Sequence, residues 1–232
     1  MAICPRSIAS SLDCVLKRIE RAAKQSGRDP REIQLVAVSK GVGRQGIDEA
    51  CQVGITVFGE NRVSEAINKF SPVVQEGVSI HLIGSLQTNK IRKVVGFFDV
   101  IHSIDSIHLA EKVALEAARQ LIVQPVLVQV NVAQEAAKRG VSIEDAPSLV
   151  KGVREFSALR LLGLMTIPPL PVIPEDSRPY YSMLRGLGAS LGLNRFSMGM
   201  STDFEVAISE GATWVRIGTA LFGPRDDAAI EG

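Results

Sequence analysis

The chain has 232 residues, of which 46% are hydrophobic and 22% are charged, and its formal net charge is +1. This balance is typical of a soluble globular protein with one large core or two smaller ones, and it excludes a disordered chain. The near-neutral charge offers no strong field for nucleic acid or an acidic membrane. The first residues lack the apolar core of a signal peptide, and no apolar stretch is long enough to span a bilayer. We therefore expect a cytoplasmic protein with no nucleic-acid or membrane partner.

Cysteine and histidine are few and scattered along the chain. Cys4, Cys14 and Cys51 have no paired spacing, which argues against a disulfide framework and against a zinc site. The three histidines are dispersed as well, and we expect them in the core or on the surface rather than as metal ligands. The sequence predicts no metal site.

The first predicted element is a helix over residues 8–26, with apolar residues at helical spacing and Gly27 as its stop. From there, short runs rich in β-branched residues alternate with helical stretches, for example residues 47–53, 64–70, 107–121 and 147–156. The predicted strands are residues 35–39, 57–60, 80–84, 100–103, 126–130, 161–165, 196–199 and 214–217.

Strict alternation of strand and helix indicates a parallel sheet with right-handed crossovers. Eight such units in 232 residues fit a closed (β/α)8 barrel, usually of about 250 residues, better than the alternative of an open doubly wound sheet with a second domain. We therefore predict a single barrel domain over residues 1–232, with an extra N-terminal helix.

One segment interrupts this alternation. Residues 167–179 are rich in proline, which prevents regular strand pairing, so we expect a long loop after the sixth strand. The loop could be a rigid spacer or a lid over a binding site, and the sequence does not distinguish the two.

Binding residues of such barrels lie at the carboxyl ends of the strands, so side chains that finish the strands should converge. Small and polar residues finish several of the predicted strands. The candidates at the barrel mouth are Lys40, Glu60, Asn61, Ser201, Arg216, Gly218 and Thr219.

Lys40 directly follows the buried first strand. Apolar surroundings or a nearby cation favour the neutral amine of a lysine, which can then form an imine with an aldehyde. On its own, a lysine at a strand end is more often a plain surface residue, so Lys40 needs further support.

The loops after strands seven and eight supply that support. Thr202 and Glu205 have the spacing of a capping box, which predicts a helix N-terminus just beyond Ser201. Free backbone N–H groups there, and the small turn at Gly218 and Thr219, suit a phosphate, which barrels often hold after these two strands. A lysine together with a phosphate site suggests a phosphorylated aldehyde.

Arg216 ends the eighth strand. A guanidinium beside the pyridine nitrogen of pyridoxal phosphate (PLP) would disfavour protonation of that nitrogen, because two positive charges would adjoin. The cofactor would then be a weaker electron sink, which suits storage or limited carbanion chemistry better than transamination. A salt-bridged arginine at a strand end is the simpler alternative.

Six motifs are more specific than any of these spacings. They are AVSK at residues 37–40, FGEN at 58–61, HLIGSLQTNK at 81–90, GLM at 163–165, SMGMSTDF at 197–204 and VRIGT at 215–219. Through them the chain resembles the pyridoxal phosphate homeostasis proteins, which have the barrel of the alanine racemase N-terminal domain, over about residues 8–225.

The resemblance implies a PLP-binding protein of vitamin B6 and amino-acid homeostasis, mostly monomeric and cytoplasmic, without demonstrated catalytic activity. PLP-dependent apo-enzymes that receive the cofactor are the partners to be expected besides PLP itself. The implied site has Lys40 as the Schiff-base lysine, Asn61 beside the ring, Arg216 near the ring nitrogen, and Ser201, Gly218 and Thr219 at the phosphate.

The chain departs from the usual family pattern in three places. Residues 41–43 are Gly-Val-Gly instead of Thr-Lys-Pro, so a second lysine is missing and we expect a more flexible loop. Ser85 stands where histidine is common, and Arg62 stands where an aromatic residue is common.

Two enzyme classes are the alternatives. A PLP-dependent amino-acid racemase needs an acid/base group on each face of its substrate, one of them commonly a tyrosine from a second domain. Tyr180 and Tyr181 are the only tyrosines here, and we expect them in the core or on the surface. A lysine-dependent aldolase needs further acid/base groups, and Glu60 is the main carboxylate at a strand end. We therefore predict a cofactor-binding protein without catalytic residues.

Overall fold

The computed structural model describes residues 7–71, 76–135 and 138–223. Eight parallel strands pair in sequence order, and β8 pairs with β1 to close the barrel. The strands are β1 Gln34–Val38, β2 Val57–Glu60, β3 Ser79–Leu82, β4 Val100–Ile104, β5 Gln124–Gln129, β6 Leu159–Met165, β7 Phe196–Ser197 and β8 Trp214–Ile217.

This architecture confirms the predicted (β/α)8 barrel, and each predicted strand overlaps an observed one. The helices are α1 Ile8–Gln25, α2 Arg44–Gln52, α3 Val63–Phe70, α4 Ile91–Val94, α5 Ile107–Arg119, α6 Ala146–Arg154, α7 Arg178–Ser190, α8 Phe204–Ser209 and α9 Thr219–Phe222. The predicted extent of the domain, residues 1–232, includes positions outside the described ranges and stays a prediction.

The extra N-terminal helix α1 starts where the Ser7 hydroxyl accepts a hydrogen bond from the Ser10 N–H at 3.2 Å. Its apolar face is buried, and the helix packs against α8 and α9. An ion pair between Arg18 and Glu205, with an N to O distance of 2.7 Å, ties α1 to α8. The predicted helix is therefore confirmed as an addition outside the barrel.

Side chains alternate between the inside of the barrel and the surrounding helices, as strand geometry requires. The inside holds a small apolar cluster of Val36, Val100, Leu127, Met165 and Trp214. A larger cluster fills the space between strands and helices. On β1, Val36 faces the inside of the barrel. Val38, two residues later at the carboxyl end of the strand, therefore faces inward as well.

The proline-rich segment forms the predicted loop after β6. It runs without regular structure to Ile173, passes through a 3-10 turn at Pro174–Ser177, and then enters α7. Within the described ranges, no helix has both the length and the apolar character needed to cross a bilayer. The same residues contain no group of three or more His, Cys, Asp or Glu side chains that could hold a metal ion.

Candidate cofactor-binding site

A cavity of about 270 Å³ lies at the carboxyl end of the barrel. Small-molecule sites are typically ~300–1,000 Å³, so this cavity suits one compact ligand. Five of the six residues predicted for the site line it: Asn61, Ser201, Arg216, Gly218 and Thr219.

The apolar wall of the cavity comes from Val38, Ile83, Ile167 and Leu170. Ile167 and Leu170 belong to the proline-rich loop after β6, so this loop forms part of the site. The sequence indicated a possible lid in this loop but did not single out any of its residues for the site. The signal that could have identified Ile167 and Leu170 is that they are apolar residues in a segment that its prolines keep out of the sheet.

Lys40, the sixth predicted residue, is half-buried at the rim and is not among the residues that line the cavity. It follows Val38, the last residue of β1 and one of the residues that line the cavity, by two residues in the sequence. Lys40 lies in a tight turn that is closed by a hydrogen bond from the Val42 N–H to the Ser39 carbonyl at 2.9 Å. Gly41 in this turn has φ 77°, a conformation that favours glycine.

A buried polar cluster, formed by Ser39, Glu60, Glu65 and Lys69, supports the Lys40 turn from outside the barrel. The Lys69 ammonium donates to the Ser39 carbonyl at 2.5 Å and pairs with Glu60 at 2.9 Å and Glu65 at 2.7 Å. Glu60 accepts a hydrogen bond from the Ser39 hydroxyl at 2.6 Å, and Glu65 accepts one from the Gly41 N–H at 2.7 Å. The residues on both sides of Lys40 are therefore anchored, although the expected flexibility of residues 41–43 stays a prediction.

Glu60 itself faces α3 rather than the cavity. Its side chain is fully buried, and burial raises its pKa, while the Ser39 hydroxyl and Lys69 oppose that rise. The strand-end carboxylate considered for an aldolase therefore serves the support cluster instead.

The predicted phosphate residues Ser201 and Gly218 meet directly. The Ser201 hydroxyl oxygen accepts hydrogen bonds from the Gly218 N–H at 3.3 Å and the Ala220 N–H at 3.4 Å. Thr219, which is exposed, begins α9 beside them. Because the Ser201 oxygen accepts both bonds, its own hydroxyl proton and the Thr219 hydroxyl are the donors that these residues can offer to a phosphate.

The predicted capping box of Thr202 and Glu205 is wrong. Asp203 occupies the N-cap of α8, and its carboxylate accepts from the Met200 N–H at 2.8 Å. The Glu205 side chain pairs with Arg18 of α1, which is 187 residues away in the sequence. Local spacing rules cannot predict such a partner. The helix still begins shortly after Ser201, at Phe204.

Asp203 also binds the hydroxyls of Ser177 at 2.7 Å and Tyr181 at 2.8 Å. Tyr181 is fully buried, and burial together with the adjacent Asp203 carboxylate raises its pKa above the ordinary range of tyrosine. Tyr181 therefore lies in the core, which is one of the two positions expected for it, and it is held as a neutral donor.

Arg216 points into the cavity from the inside of β8, although it is only 3% exposed. Its Nη1 donates to the Ser197 hydroxyl oxygen and its Nη2 to the Thr166 carbonyl, both at 2.8 Å. Burial lowers its pKa from the usual value, yet a guanidinium remains charged at neutral pH. No carboxylate pairs with Arg216 within the described ranges, so the alternative of a salt-bridged strand-end arginine is wrong.

A larger cavity of about 610 Å³ opens at the amino-terminal end of the barrel, where Arg28, Arg185, Arg195 and Trp214 line it. It lies at the opposite end from Lys40. We assign the site to the smaller cavity, because the residues with complementary chemistry converge there and barrels of this kind bind their ligands at the carboxyl end.

Comparisons with known proteins agree with the fold and the motifs. The family model described as alanine racemase, N-terminal domain, matches residues 11–226. The pyridoxal phosphate homeostasis protein of Aquifex aeolicus (strain VF5) is 44% identical over 220 residues, which covers 92% of this chain and 96% of the relative. The chain belongs to the pyridoxal phosphate homeostasis protein family.

A second member of this family, from Pseudomonas aeruginosa, is 41% identical over 225 residues and covers 96% of this chain and 98% of the relative. PipY of Synechococcus elongatus PCC7942, solved with PLP bound, superimposes with a TM-score of 0.78 at 36% identity, over 89% of this chain and 100% of PipY. The family resemblance seen in the motifs is thereby confirmed, whereas the roles of individual site residues stay predictions.

Proposed function

We propose that this member of the pyridoxal phosphate homeostasis family binds PLP, holds it as a Schiff base on Lys40, and has no catalytic cycle of its own. The observation that carries the proposal is the convergence of Asn61, Arg216 and Ser201 around one cavity, at the end of the strand that Lys40 follows. The aldehyde of bound PLP supplies the group that a lysine amine can attack.

The residues present fit the chemistry of PLP. Ser201, Gly218 and Thr219 would hold the phosphate, since they line the cavity together and bring the two hydroxyls of Ser201 and Thr219 to a glycine backbone. Arg216 would lie at the ring nitrogen, and Asn61 would lie beside the ring. The apolar wall of Ile83, Ile167 and Leu170 would exclude water from the ring faces.

A racemase-like enzyme is the alternative function. It needs a second acid/base group opposite the lysine. Tyr181 is buried against Asp203, and Tyr180 is not among the residues that line the cavity, so neither tyrosine is placed for that role. This favours a carrier over a racemase. PLP-dependent apo-enzymes would then receive the cofactor, and the expected monomeric state stays a prediction.

Titration of the purified protein with PLP tests the proposal. After unbound PLP is removed by gel filtration, we expect a protein-bound absorption band that saturates with the wild type, is lost in Lys40→Ala, and persists in Lys90→Ala, which replaces a half-buried lysine outside the cavity. A band that survives in Lys40→Ala would contradict the proposal. Exchange of the α-proton of L-alanine in heavy water, at a rate proportional to protein concentration, would favour the racemase instead.

A further inference from the structure

Below Arg216, a chain of hydrogen-bonded side chains crosses the inside of the barrel. Ser197 on β7 receives the Arg216 Nη1 bond at 2.8 Å and lies 2.9 Å from Nδ1 of His102 on β4. Nε2 of His102 lies 3.1 Å from Nδ1 of His81 on β3. The chain thus links Arg216 on β8 to β7, β4 and β3 through three side chains that the proposed PLP site does not itself use.

The donors in this chain run in one direction. Arg216 can only donate, so the Ser197 oxygen accepts, and its own proton needs an acceptor. Within the described residues, the bonds of the fully buried Ser197 hydroxyl are those to Arg216 and His102. If His102 donated from Nδ1, the Ser197 proton would be buried without a partner, which is costly. Ser197 therefore donates to Nδ1 of His102, which leaves the His102 proton on Nε2, directed at Nδ1 of His81.

The surroundings keep both imidazoles neutral. Burial, chiefly, lowers the pKa of His81 to about 4, with Arg195 adding to the effect and Asp99 opposing it. Burial, His81 and Arg216 also lower the pKa of the fully buried His102 well below the usual value of histidine.

The indole of Trp214 holds the two imidazoles in place. It lies nearly parallel to the His102 ring, at 25° with a centroid distance of 4.9 Å. Its centroid is 5.0 Å from that of His81. The rings are therefore restrained in orientation as well as in charge.

We propose that Ser197, His102 and His81 are positioning residues that aim the Arg216 guanidinium at the cofactor cavity through a one-way chain of hydrogen bonds with two neutral imidazoles. The inference rests on the proposed function, because the chain matters for PLP only if Arg216 contacts the ring. Nη1 of Arg216 donates to the Ser197 oxygen, which the chain holds in place, and Nη2 donates to the Thr166 carbonyl. These two bonds restrain the guanidinium from rotating away from the cavity.

The tautomers can be read in the protein without PLP. Long-range proton–nitrogen NMR correlations of 15N-histidine-labelled protein at neutral pH should show His102 and His81 protonated on Nε2 only. Ser197→Ala should shift the Nδ1 resonance of His102 and leave exposed His108 unchanged. A proton on Nδ1 of His102, or a charged imidazole, would overturn the proposal.

PLP affinity provides the second readout, with a closely matched control. Ser197→Ala should weaken PLP binding about tenfold, since one anchor of the guanidinium is removed. Ser103→Ala removes a hydroxyl that is also buried, has no hydrogen-bond partner within the described ranges, and neighbours His102, so its affinity should equal that of the wild type.

The two proposals fail in different ways. If borohydride traps PLP on Lys40 but Ser197→Ala binds PLP as tightly as Ser103→Ala, the positioning role is refuted while the carrier function stands. If PLP is not trapped on Lys40, the carrier function is refuted, and the positioning of Arg216 toward a PLP ring is refuted with it. The tautomers measured without PLP then still report whether the hydrogen-bond chain exists.

Discussion

Replacement of Lys69 by methionine probes the cluster that supports the Lys40 turn. The Lys69 side chain is 9% exposed and that of Glu60 is 0% exposed. Methionine keeps most of the volume of lysine but removes the ammonium. The Ser39 hydroxyl, which donates to Oε1 of Glu60, would then be retained, whereas Oε2 has no hydrogen-bond partner in the part of the chain that the structure describes. The Ser39 carbonyl would also lose its bond to Lys69.

Breaking a buried ion pair by removal of one partner costs about 3–5 kcal/mol, and we expect Lys69→Met to lower the free energy of unfolding by that amount at neutral pH. Burial already raises the pKa of Glu60 in the wild type, and without Lys69 it should rise further. A raised carboxyl pKa means that stability falls as the pH rises through the interval between the unfolded and folded pKa values. The deficit of Lys69→Met should therefore shrink when the pH is lowered through that interval.

Urea unfolding followed by circular dichroism measures this effect, with Lys17→Met as the control. Lys17 pairs with Asp13 at 2.7 Å, but both side chains are exposed, at 72% and 62%, and we expect no measurable change from its loss. Lys69→Met should also bind PLP more weakly, because the turn that carries Lys40 loses its anchor. Equal unfolding midpoints for the two variants would refute the assigned role of the cluster.

Two further predictions concern the barrel interior and the site wall. The pKa of His81 is lowered from 6.5 to about 4, so the unfolded chain takes up its proton first as the pH falls. This group should cost about 3 kcal/mol of stability between pH 6.5 and pH 4. His81→Phe should therefore flatten the pH dependence of the free energy of unfolding measured with urea, and His108→Ala should not. An unchanged pH dependence in His81→Phe would contradict the lowered pKa of His81. A Cβ at Gly84 would lie 2.2 Å from the Asn61 carbonyl oxygen, so Gly84→Ala should cost about 1–3 kcal/mol and weaken PLP binding. The control is Gly186→Ala within α7, where a Cβ would meet open space, and it should raise the free energy of unfolding by up to about 1 kcal/mol. Equal PLP affinities of Gly84→Ala and Gly186→Ala would argue against a role for Asn61.

The barrel could be predicted because its signals are local. Each strand is a short apolar run bounded by turn residues, and the regular alternation of eight such runs with helices leaves few topologies for a chain of 232 residues. The convergence of Asn61, Ser201 and Arg216 followed from the same rule, since all three come at or just after the carboxyl end of a strand.

Features that depend on partners distant in sequence could not be predicted. The spacing of Glu205 from Thr202 fits a capping box. In the folded protein, however, α1 packs on α8, and the Glu205 carboxylate pairs with Nη2 of Arg18 at 2.7 Å instead. His81 and His102 looked like scattered histidines, because nothing in their spacing shows that β3 and β4 aim both rings into the barrel. Ile167 reaches the cavity through a loop whose path is set by tertiary packing and not by any periodic pattern.

Reduction with borohydride followed by mass mapping of peptides tests the central claim most directly. After incubation with PLP, reduction and proteolysis, we predict that the pyridoxyl phosphate mass is found on the peptide that contains Lys40. Lys40→Ala should yield no stoichiometric adduct on any lysine, and Lys90→Ala should be labelled like the wild type. A stoichiometric adduct on another lysine, or none in the wild type, would contradict the account.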